Sequence, residues 1–360
     1  MDRTTIDRAM SPYCHLTHPD PLSIVDPFAR FVYAGPMSQR ADVVVIGAGV
    51  SGLTSALCLA EAGFGVRVHS ADPPGRTTSC AAGAIWGPHL VAHERALGWA
   101  LRSLAVFRDL AADPRTGVRL VDGVEASRGD LVTPRPGAGP DDVRRCDPAT
   151  LPPGFTNGWR YRVPLIDMSR YLDHLCARLA GFGVEMTIGE PVTAAALPGF
   201  GPVVVNCTGL GARDLIPGDP VAPVRGDLLV TGNPGITEFF VEHDDDADGL
   251  TTYVLPQGDR VMLGGSRRTG DYSTLPEPAA ARAILDRCTA AEPRLAGVQV
   301  LRHHVGLRPV RDRVRIGPDE THPHVIHNYG HGGGGVTLSW GCAQEVVAVT
   351  AAAARTIRPR

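Results

Sequence analysis

Two clusters of glycine mark places where the backbone of this chain is shaped to approach a ligand. One is Gly47-x-Gly49-x-x-Gly52, within VVVIGAGVSGL, and the other is the run 332–335, within VIHNYGHGGGGVTLSWG near the C-terminus. Glycine is used where a backbone must adopt positive φ or come close to another group. Core packing requires neither cluster, so both are candidate binding elements.

The elements around the first cluster indicate what it binds. A buried strand (Val43–Ile46), an amphipathic helix (about 51–62) and a second strand (Val66–His69) predict a βαβ unit with the glycines at its first turn. There the glycines allow a tight turn, the approach of a pyrophosphate and close packing of helix on strand, and the helix N-terminus offers unpaired N–H groups. Asp72 lies where a ribose-binding carboxylate is expected. The pattern predicts a dinucleotide, either NAD or FAD.

The second cluster favours a flavin. It lies between a predicted strand at Val325-Ile326 and an Ala-rich helix predicted over about 341–355. Backbone N–H groups at the start of such a helix suit a second polar object, and a flavin ring carries carbonyls that accept hydrogen bonds. The alternative is a tight turn that happens to be rich in glycine, but an ordinary turn needs only one or two.

Composition excludes several other functions. The 360 residues are 43% hydrophobic and 20% charged, carry a net charge of −3, and take all 35 of their basic residues from arginine. An ordinary soluble globular protein of two joined domains is expected. No block of basic residues indicates a nucleic-acid partner. Without lysine, Schiff-base catalysis and a Walker phosphate site are excluded.

The cysteines and the apolar runs suggest where the protein acts. The eight cysteines have no C-x-x-C pair and no metal-like spacing, which predicts reduced thiols and no metal site. The N-terminus lacks an apolar h-region, and no apolar run reaches the roughly 20 residues that span a bilayer. We therefore expect a cytoplasmic protein with no membrane partner.

Further elements follow from periodicity and turn residues. A helix ending at Gly181 and followed by a strand is predicted within 165–188, and a buried strand running into a glycine turn within 202–209. Residues 253–265 predict a hairpin turning at Gly258-Asp259, and 281–293 a helix. The stretch 134–141 is predicted to be a loop, and 1–40 an arm of unknown role.

Taken in order, these motifs resemble the D-amino-acid oxidase family. The likeness rests on the two glycine clusters together with TTSCAAGAIWGPHL (77–90), VVVNCTGLGARDL (203–215), YVLPQGDRVMLGG (253–265) and VGLRPVRDRVRI (305–316), and it extends from about residue 41 to 350. It implies an α/β protein with a Rossmann-like FAD-binding domain, discontinuous in sequence, and an interleaved mixed-sheet substrate domain. The implied FAD-binding segments are 41–90, 165–215 and 300–360, and the substrate-binding segments are 91–164 and 216–299.

The resemblance also implies which residues hold FAD. Gly47, Ala48, Gly49, Val50, Ser51 and Gly52 would hold the pyrophosphate, and Val192 would lie beside the adenine. Thr77, Thr78, Gly83, Ala84 and Ile85 would line the flavin, and Thr208 would lie near the cofactor. Gly332, Gly333, Gly335, Val336 and Thr337 would meet the edge of the flavin ring. The role of Asp72 stays open, because some relatives place an arginine there.

The resemblance assigns three residues to the substrate. Arg308, in GLRPVR, and Tyr253 would bind the substrate carboxylate, and the carbonyl of Gly333 would accept a hydrogen bond from its amine. Arginine grips a carboxylate through two parallel hydrogen bonds and keeps its charge in a partly dry site. The alternatives are a surface ion pair for Arg308 and a half-buried strand aromatic for Tyr253.

Departures from the family bear on the substrate side chain. The lid stretch EHDDDADGLTT (242–252) lacks a second tyrosine that the family commonly carries, and its aspartates predict a solvated loop. His89 and Arg267 fall where relatives resembling D-aspartate oxidase carry His and Arg, although Asp246 stands near the place of a lid arginine in those relatives. An acidic D-amino acid is narrowly favoured, ahead of a neutral one. The alternative is that His89 and Arg267 are ordinary residues at the pocket edge.

The implied reaction is oxidative deamination of a D-amino acid. A hydride passes from the substrate Cα to flavin N5, the imino acid hydrolyses to a 2-oxo acid and ammonia, and molecular oxygen reoxidises the flavin to give hydrogen peroxide. Rival predictions are a glycine/sarcosine-type or specialised biosynthetic amine oxidase, a dehydrogenase, and a flavin-binding subunit without turnover. The oligomeric state is left open, with a homodimer as one option.

Overall fold

The computed structural model describes residues 42–87, 91, 93–129, 139–243 and 250–357. The predicted arm at 1–40 lies outside them, as does most of the predicted loop at 134–141. The helices are α1 (Val50–Glu61), α2 (Ala96–Leu110), α3 (Met168–Gly181), α4 (Ala212–Leu215), α5 (Pro278–Ala291) and α6 (Gly335–Ile357). The strands are β1 (Asp42–Ile46), β2 (Gly65–Ser70), β3 (Val118–Ser127), β4 (Asp141–Arg145), β5 (Asn157–Ile166), β6 (Glu185–Ile188), β7 (Val203–Asn206), β8 (Ala222–Gly232), β9 (Phe239–Glu242), β10 (Leu250–Gln257), β11 (Arg260–Ser266), β12 (Arg268–Thr269), β13 (Val300–Pro318) and β14 (Val325–His331).

One half of the structure is a parallel sheet with helices against it. Its strands run in the order β6-β2-β1-β7-β14, all paired in parallel. Helix α1 packs against both α3 and α6, and α2 packs against α6. Strand β1 is apolar from Val43 to Ile46 because both faces are covered, and Val43 and Val45 are fully buried. This arrangement confirms the predicted βαβ unit and the Rossmann-like fold class.

The other half is a mixed sheet that is mostly antiparallel. Its strands run in the order β4-β5-β3-β9-β10-β11-β8, with β3 and β9 parallel to each other. Helix α5 covers one face, where Ile284 and Cys288 pack against Leu229, Val254 and Leu263. The predicted hairpin is confirmed, since Gln257 pairs with Arg260 around a turn in which Gly258 has φ +71°.

Strand β13 joins the two halves into one continuous sheet. From Val300 to Val310 it pairs with β8, and from Val310 to Pro318 it pairs with β14. The implied domain division stays a prediction. Two elements contact the other set of segments: β13, from an implied FAD-binding segment, pairs with β8, and α2, from an implied substrate-binding segment, packs on α6. Arg308 lies just before the point where β13 passes from one half to the other.

The glycine-rich segment at the C-terminus is more ordered than its composition predicts. Strand β14 continues through Gly330 to His331, where the predicted strand was only Val325-Ile326. A single 3-10 turn, Gly332–Gly334, then leads directly into α6, which begins before the predicted 341. The strand continues because it stays paired with β13, with Tyr329 opposite Arg315 and His331 opposite Val310. Long-range pairing therefore overrides the weak strand propensity of glycine.

Helix α6 is long and unusually apolar. Among the described residues, 332–355 form the one helical segment long and apolar enough to cross a membrane. In its apolar stretch of 18 residues, 56% is buried inside the structure. It packs against α1 and α2, as a core helix does.

Candidate active site

A large cleft opens where the parallel sheet meets the mixed sheet. It has a volume of about 1310 Å³ and is lined by residues from both halves. Of the residues implied to hold FAD, the lining includes Gly47, Gly49, Val50, Ser51, Asp72, Thr77, Thr78, Gly83, Ala84, Ile85, Val192, Thr208, Gly332, Gly333, Gly335, Val336 and Thr337. Tyr253, Arg267 and Arg308 line the same cleft. Segments far apart in sequence are thus brought together, as the resemblance implies.

The first glycine turn is shaped by close backbone contacts. Gly47 has φ +109°, and a Cβ at this position would lie 2.5 Å from the carbonyl oxygen of Cys207. A Cβ at Gly52 would lie 2.8 Å from the carbonyl carbon of Gly47 and closer still to its oxygen. Gly52 and the buried Ala48 do not line the cleft. Gly52 instead packs against the Gly47 carbonyl within the turn. The third glycine therefore serves the close packing of helix on turn that the fingerprint predicts.

Helix α1 points its N-terminus into the cleft. Its N-cap, Gly49, provides no side chain to bond the first N–H groups. The Val50 N–H donates to Oγ of Ser79 at 3.0 Å, and the Ala48 N–H donates to Oγ of Ser70 at 3.2 Å. A helix start of this kind attracts a phosphate because its N–H groups and dipole both favour negative charge.

A second helix N-terminus faces the same cleft. Gly332, with φ +54°, turns the chain from β14 into α6, and Gly333 is exposed at the cleft. Thr337 in the first turn of α6 is occupied: its Oγ1 donates to the Gly87 carbonyl at 3.2 Å and accepts from the Gly87 N–H at 3.3 Å. Burial lowers the pKa of His331 to about 4, so this imidazole beside the glycines is neutral and pairs with Oδ1 of Asn328 at 3.1 Å.

The segment 77–85 forms another wall. Ala84 has φ +54°, unusual for a residue with a side chain, and its carbonyl accepts from the Ile166 N–H at 2.9 Å. A Cβ at Gly83 would lie 3.0 Å from Cδ1 of Leu255, so the backbone there runs close to β10. Asp72 also lines the cleft, and its carboxylate lies 3.6 Å from the exposed Arg76.

These features fit FAD. The starts of two helices, α1 and α6, open onto one cleft, and two glycine turns have no room for side chains. Drug-sized ligands occupy pockets of about 300–1,000 Å³, so a cleft of 1310 Å³ has space for a dinucleotide and a small substrate. The first helix start suits a pyrophosphate, and the glycine backbone at the second suits the edge of a flat ring.

Arg308 presents a charge to the cleft. Its Nη1 donates to the Ser266 carbonyl at 3.0 Å and to the Arg225 carbonyl at 3.4 Å. None of the carboxylates among the described residues lies within 4.0 Å of this guanidinium. The surface ion pair considered as an alternative is therefore absent from the described structure. An arginine so held, beside a cleft, is able to bind an anion.

Tyr253 lies on the same face of the mixed sheet, with its ring over two glycines. A Cβ at Gly264 would overlap the phenol ring, and one at Gly265 would lie 2.7 Å from its oxygen. Burial raises the pKa of Tyr253 to about 12, with the charge of Arg308 acting in the other direction. The hydroxyl is thus a neutral hydrogen-bond donor. Gly264 pairs with Leu228 on β8, two residues from Gly226, which underlies Arg308. The two polar groups stand about 7 Å apart along the sheet.

A buried charge network supports the wall beneath Arg308. Asp227 accepts from Arg225 Nη2 at 2.9 Å and from Ser266 Oγ at 2.7 Å, and His303 lies at 2.9 Å. Burial would raise the pKa of Asp227, but these bonds and one from Arg268 outweigh it and lower the pKa to about 2. The network joins β8 and β11, the two strands whose Arg225 and Ser266 carbonyls hold Arg308.

Of the two residues predicted to contact the substrate side chain, the structure describes only Arg267. Arg267 is exposed and lines the cleft. His89 lies outside the described residues, as do the lid aspartates Asp244, Asp245, Asp246 and Asp248. Acidic residues that were not predicted also line the cleft: Asp214 and the buried Glu125, Asp227 and Glu242.

Several residues that shape the site were missed from the sequence. They are Ser79 at the start of α1, Gly226 under Arg308, Gly264 and Gly265 under Tyr253, Ser266 beside Arg308, and Glu125 with His243 in the cleft wall. The doublet Gly264-Gly265 did offer a signal, because glycine inside a strand often marks a close approach.

Comparison with known proteins agrees with the FAD site inferred from the cleft. A family model described as FAD dependent oxidoreductase (DAO) matches residues 42–349. A D-amino-acid oxidase of Rubrobacter xylanophilus is 46% identical over 321 residues, covering 87% of this chain and 97% of that protein. One of Streptomyces coelicolor is 47% identical over 309 residues, covering 84% and 95%. Among solved structures, glycine oxidase from Bacillus cereus matches with a TM-score of 0.71 over 87% of this chain and 95% of that one; at 19% identity this shows likeness of fold alone.

The family match spans most of the chain, and the two curated relatives align over nearly their whole length. The resemblance and the FAD dependence inferred from the glycine clusters are both confirmed. The chain belongs to the DAO family of FAD-dependent oxidoreductases.

Proposed function

We propose that this protein oxidises the α-amino group of a free D-amino acid. The observation that carries the proposal is the guanidinium of Arg308, held by two backbone carbonyls in the FAD cleft with no described carboxylate as its partner. A free amino acid supplies the missing anion. The D configuration is proposed from the names of the two curated relatives.

The chain's own residues would position the substrate. Arg308 would take the carboxylate through two parallel hydrogen bonds, and the neutral hydroxyl of Tyr253 would donate a further one. The carbonyl of Gly333 would accept from the amine at the opposite wall of the cleft. These contacts fix three points of the amino acid and so direct one Cα–H bond toward the space in front of the α6 N-terminus.

FAD, held by the glycine turns of α1 and α6, supplies the acceptor for a hydride from Cα. Neutral His331 is buried behind the glycines, and Tyr253 stays protonated, so neither adds a charge that would compete with the amine. The protein's contribution is position and exclusion of water. Hydrolysis of the released imino acid gives a 2-oxo acid and ammonia, and oxygen as final acceptor would give hydrogen peroxide.

An acidic side-chain preference stays a prediction. Arg267 supports it by lining the cleft, while the second predicted residue, His89, lies outside the described part of the chain. A glycine- or sarcosine-type amine oxidase is the second candidate, since it would use the same carboxylate clamp. A flavin-binding subunit without turnover has no use for Arg308 and Tyr253 in one cleft.

The test is product analysis under air with both enantiomers of alanine, together with glycine and sarcosine. The proposal expects oxygen uptake, peroxide, ammonia and pyruvate in equal amounts with D-alanine and none with L-alanine. Turnover of glycine and sarcosine without D-alanine would replace it with the second candidate. Bleaching of the flavin by D-alanine without oxygen uptake would indicate a dehydrogenase.

A further inference from the structure

One buried carboxylate, that of Asp227, joins the two residues whose backbone carbonyls hold Arg308. The Arg225 carbonyl accepts from Arg308 Nη1, and the Arg225 guanidinium donates to Asp227 Oδ1 at 2.9 Å. The Ser266 carbonyl also accepts from Arg308 Nη1, and the Ser266 hydroxyl donates to Asp227 Oδ2 at 2.7 Å. The N–H of Asp227 donates back to this hydroxyl at 2.8 Å. Both supports of the Arg308 guanidinium are therefore anchored at one side chain.

Asp227 is not placed to pair with Arg308 directly. On the paired strands β8 and β13, Val224 is opposite Arg308 and Asp227 is opposite Val305. Because side chains alternate along a strand, Asp227 and Arg308 point to opposite faces of the sheet. The connection between them therefore runs through the backbones of β8 and β11.

The Asp227 carboxylate is held in place and charged. His303 Nε2 lies 2.9 Å from Oδ1, and Arg268 Nη2 donates to Oδ2 at 3.2 Å. Burial acts to raise the pKa of Asp227, but the bonds from Arg225, Ser266, His303 and Arg268 outweigh it and lower the pKa to about 2. The carboxylate thus stays ionised at the pH of a kinetic assay.

Stability alone does not account for this network. The side chains of Arg225 and Asp227 are both fully buried. A buried ion pair often stabilises a fold no better than well-packed apolar residues of similar volume, since both charges lose their hydration. What the pair does provide is a fixed geometry for the backbone on either side of it.

We propose that Asp227 is a positioning residue for the substrate carboxylate, because its bonds to Arg225 and Ser266 fix the place of the Arg308 guanidinium. The inference rests on the proposed function, in which Arg308 binds that carboxylate. Positioning and simple electrostatics predict opposite results when Asp227 is neutralised. Loss of a negative charge near Arg308 would by itself strengthen the binding of an anion. Loss of positioning weakens it, because a misplaced guanidinium forms poorer paired hydrogen bonds.

The experiment measures KM and kcat for D-alanine in the holoenzyme of the parent, Asp227→Asn, Ser266→Ala and the double variant. It also measures Kd for propanoate, which is D-alanine without its amine, so that carboxylate binding is followed without turnover. We expect Asp227→Asn to raise both KM and Kd about tenfold, the effect of one charge-assisted hydrogen bond. The double variant should show little further loss, because residues that act through one another have non-additive effects.

Glu277→Gln is the matched control. Glu277 lies 3.1 Å from Arg225 Nη1 and 3.0 Å from Arg268 Nη1, so it carries the same charge beside the same arginines as Asp227. It is partly exposed and does not line the cleft. Because ion pairs at exposed positions contribute little, KM and Kd should stay close to those of the parent.

An unchanged or lower Kd for propanoate in Asp227→Asn that retains FAD would overturn the inference and leave the proposed function intact. Equal losses in Glu277→Gln, or additive losses in the double variant, would overturn it as well. If Asp227→Asn does not fold, Ser266→Ala decides, since it removes the bond to Asp227 and keeps the carbonyl; kinetics like those of the parent would then refute the role of Asp227. Parent enzyme that oxidises no D-amino acid would instead remove the proposed function itself.

Discussion

The guanidinium of Arg308 lies flat against the backbone of Gly226, so that a methyl carbon at this glycine would be 2.5 Å from Arg308 Cζ. The two residues are on paired strands, where Arg308 is opposite Val224. The position of the charge is thus set by the absence of a side chain on the neighbouring strand. The position at which Arg308 could bind a substrate carboxylate therefore depends on this contact.

Replacing Gly226 by alanine should displace Arg308 without disturbing the FAD turns. Because a misplacement of about 1 Å in a positioning group can cost about 100-fold, kcat/KM for D-alanine should fall on that order. FAD content and melting temperature should change little by comparison. Gly232→Ala is the matched control, since it is on the same strand and a Cβ there meets nothing within 4 Å. Equal kinetics for the two variants would contradict the role of Gly226.

Arg308→Lys should raise KM for D-amino acids roughly 10- to 100-fold, because lysine keeps the charge but loses the paired hydrogen bonds. Bound FAD should be retained, as shown by its absorbance. Arg302→Lys, at an exposed position of the same strand, is the control. A KM like that of the parent would refute the carboxylate clamp.

The variant Tyr253→Phe tests whether the Tyr253 hydroxyl donates a hydrogen bond to the substrate carboxylate while remaining uncharged. Loss of one uncharged hydrogen bond predicts a rise of roughly 2- to 10-fold in KM. Burial raises the pKa of Tyr253 to about 12, so the hydroxyl stays protonated through the range of about pH 7 to 10, where kinetics are measured. The alkaline limb of the kcat/KM profile should therefore have the same midpoint in Tyr253→Phe and parent. A limb that disappears in the variant would show that Tyr253 ionises in this range.

Gly52→Ala should weaken FAD binding, since its methyl group would collide with the Gly47 carbonyl and distort the phosphate turn. We expect purified protein with less FAD and a smaller rise in melting temperature on adding FAD, because stabilisation by a ligand follows its affinity. Gly75→Ala, where a Cβ meets nothing within 4 Å, should match the parent. Full FAD occupancy in Gly52→Ala would contradict the assigned turn.

The sequence predicts a feature best when the conformation of a few adjacent residues decides it. The turn at Gly47 and the hairpin at Gly258 need positive φ, and adjacent residues are enough to predict them. The helix α2 was missed although its buried residues, among them Trp99, Leu104 and Phe107, recur at helical spacing. The apolar periodicity of 96–110 is thus enough to predict this helix from the sequence.

Other features depend on strands far apart in the chain. Gly226 underlies Arg308 only because β8 pairs with β13, and Glu125 joins Tyr253 only because β9 lies between β3 and β10. No local pattern specifies such neighbours, since register depends on the whole sheet. The family resemblance supplied Arg308 and Tyr253 but not the glycines that make room for them.

The most direct test of the central claim is anaerobic reduction of the bound flavin by a D-amino acid. Purified holoenzyme is mixed without oxygen with D-alanine, D-lysine or D-glutamate, and separately with their L-enantiomers, while the flavin absorbance is followed. Bleaching by D-amino acids, lost in Arg308→Ala that still carries FAD, is the predicted result. Flavin that no D-amino acid bleaches, or equal bleaching with and without Arg308, would contradict the account.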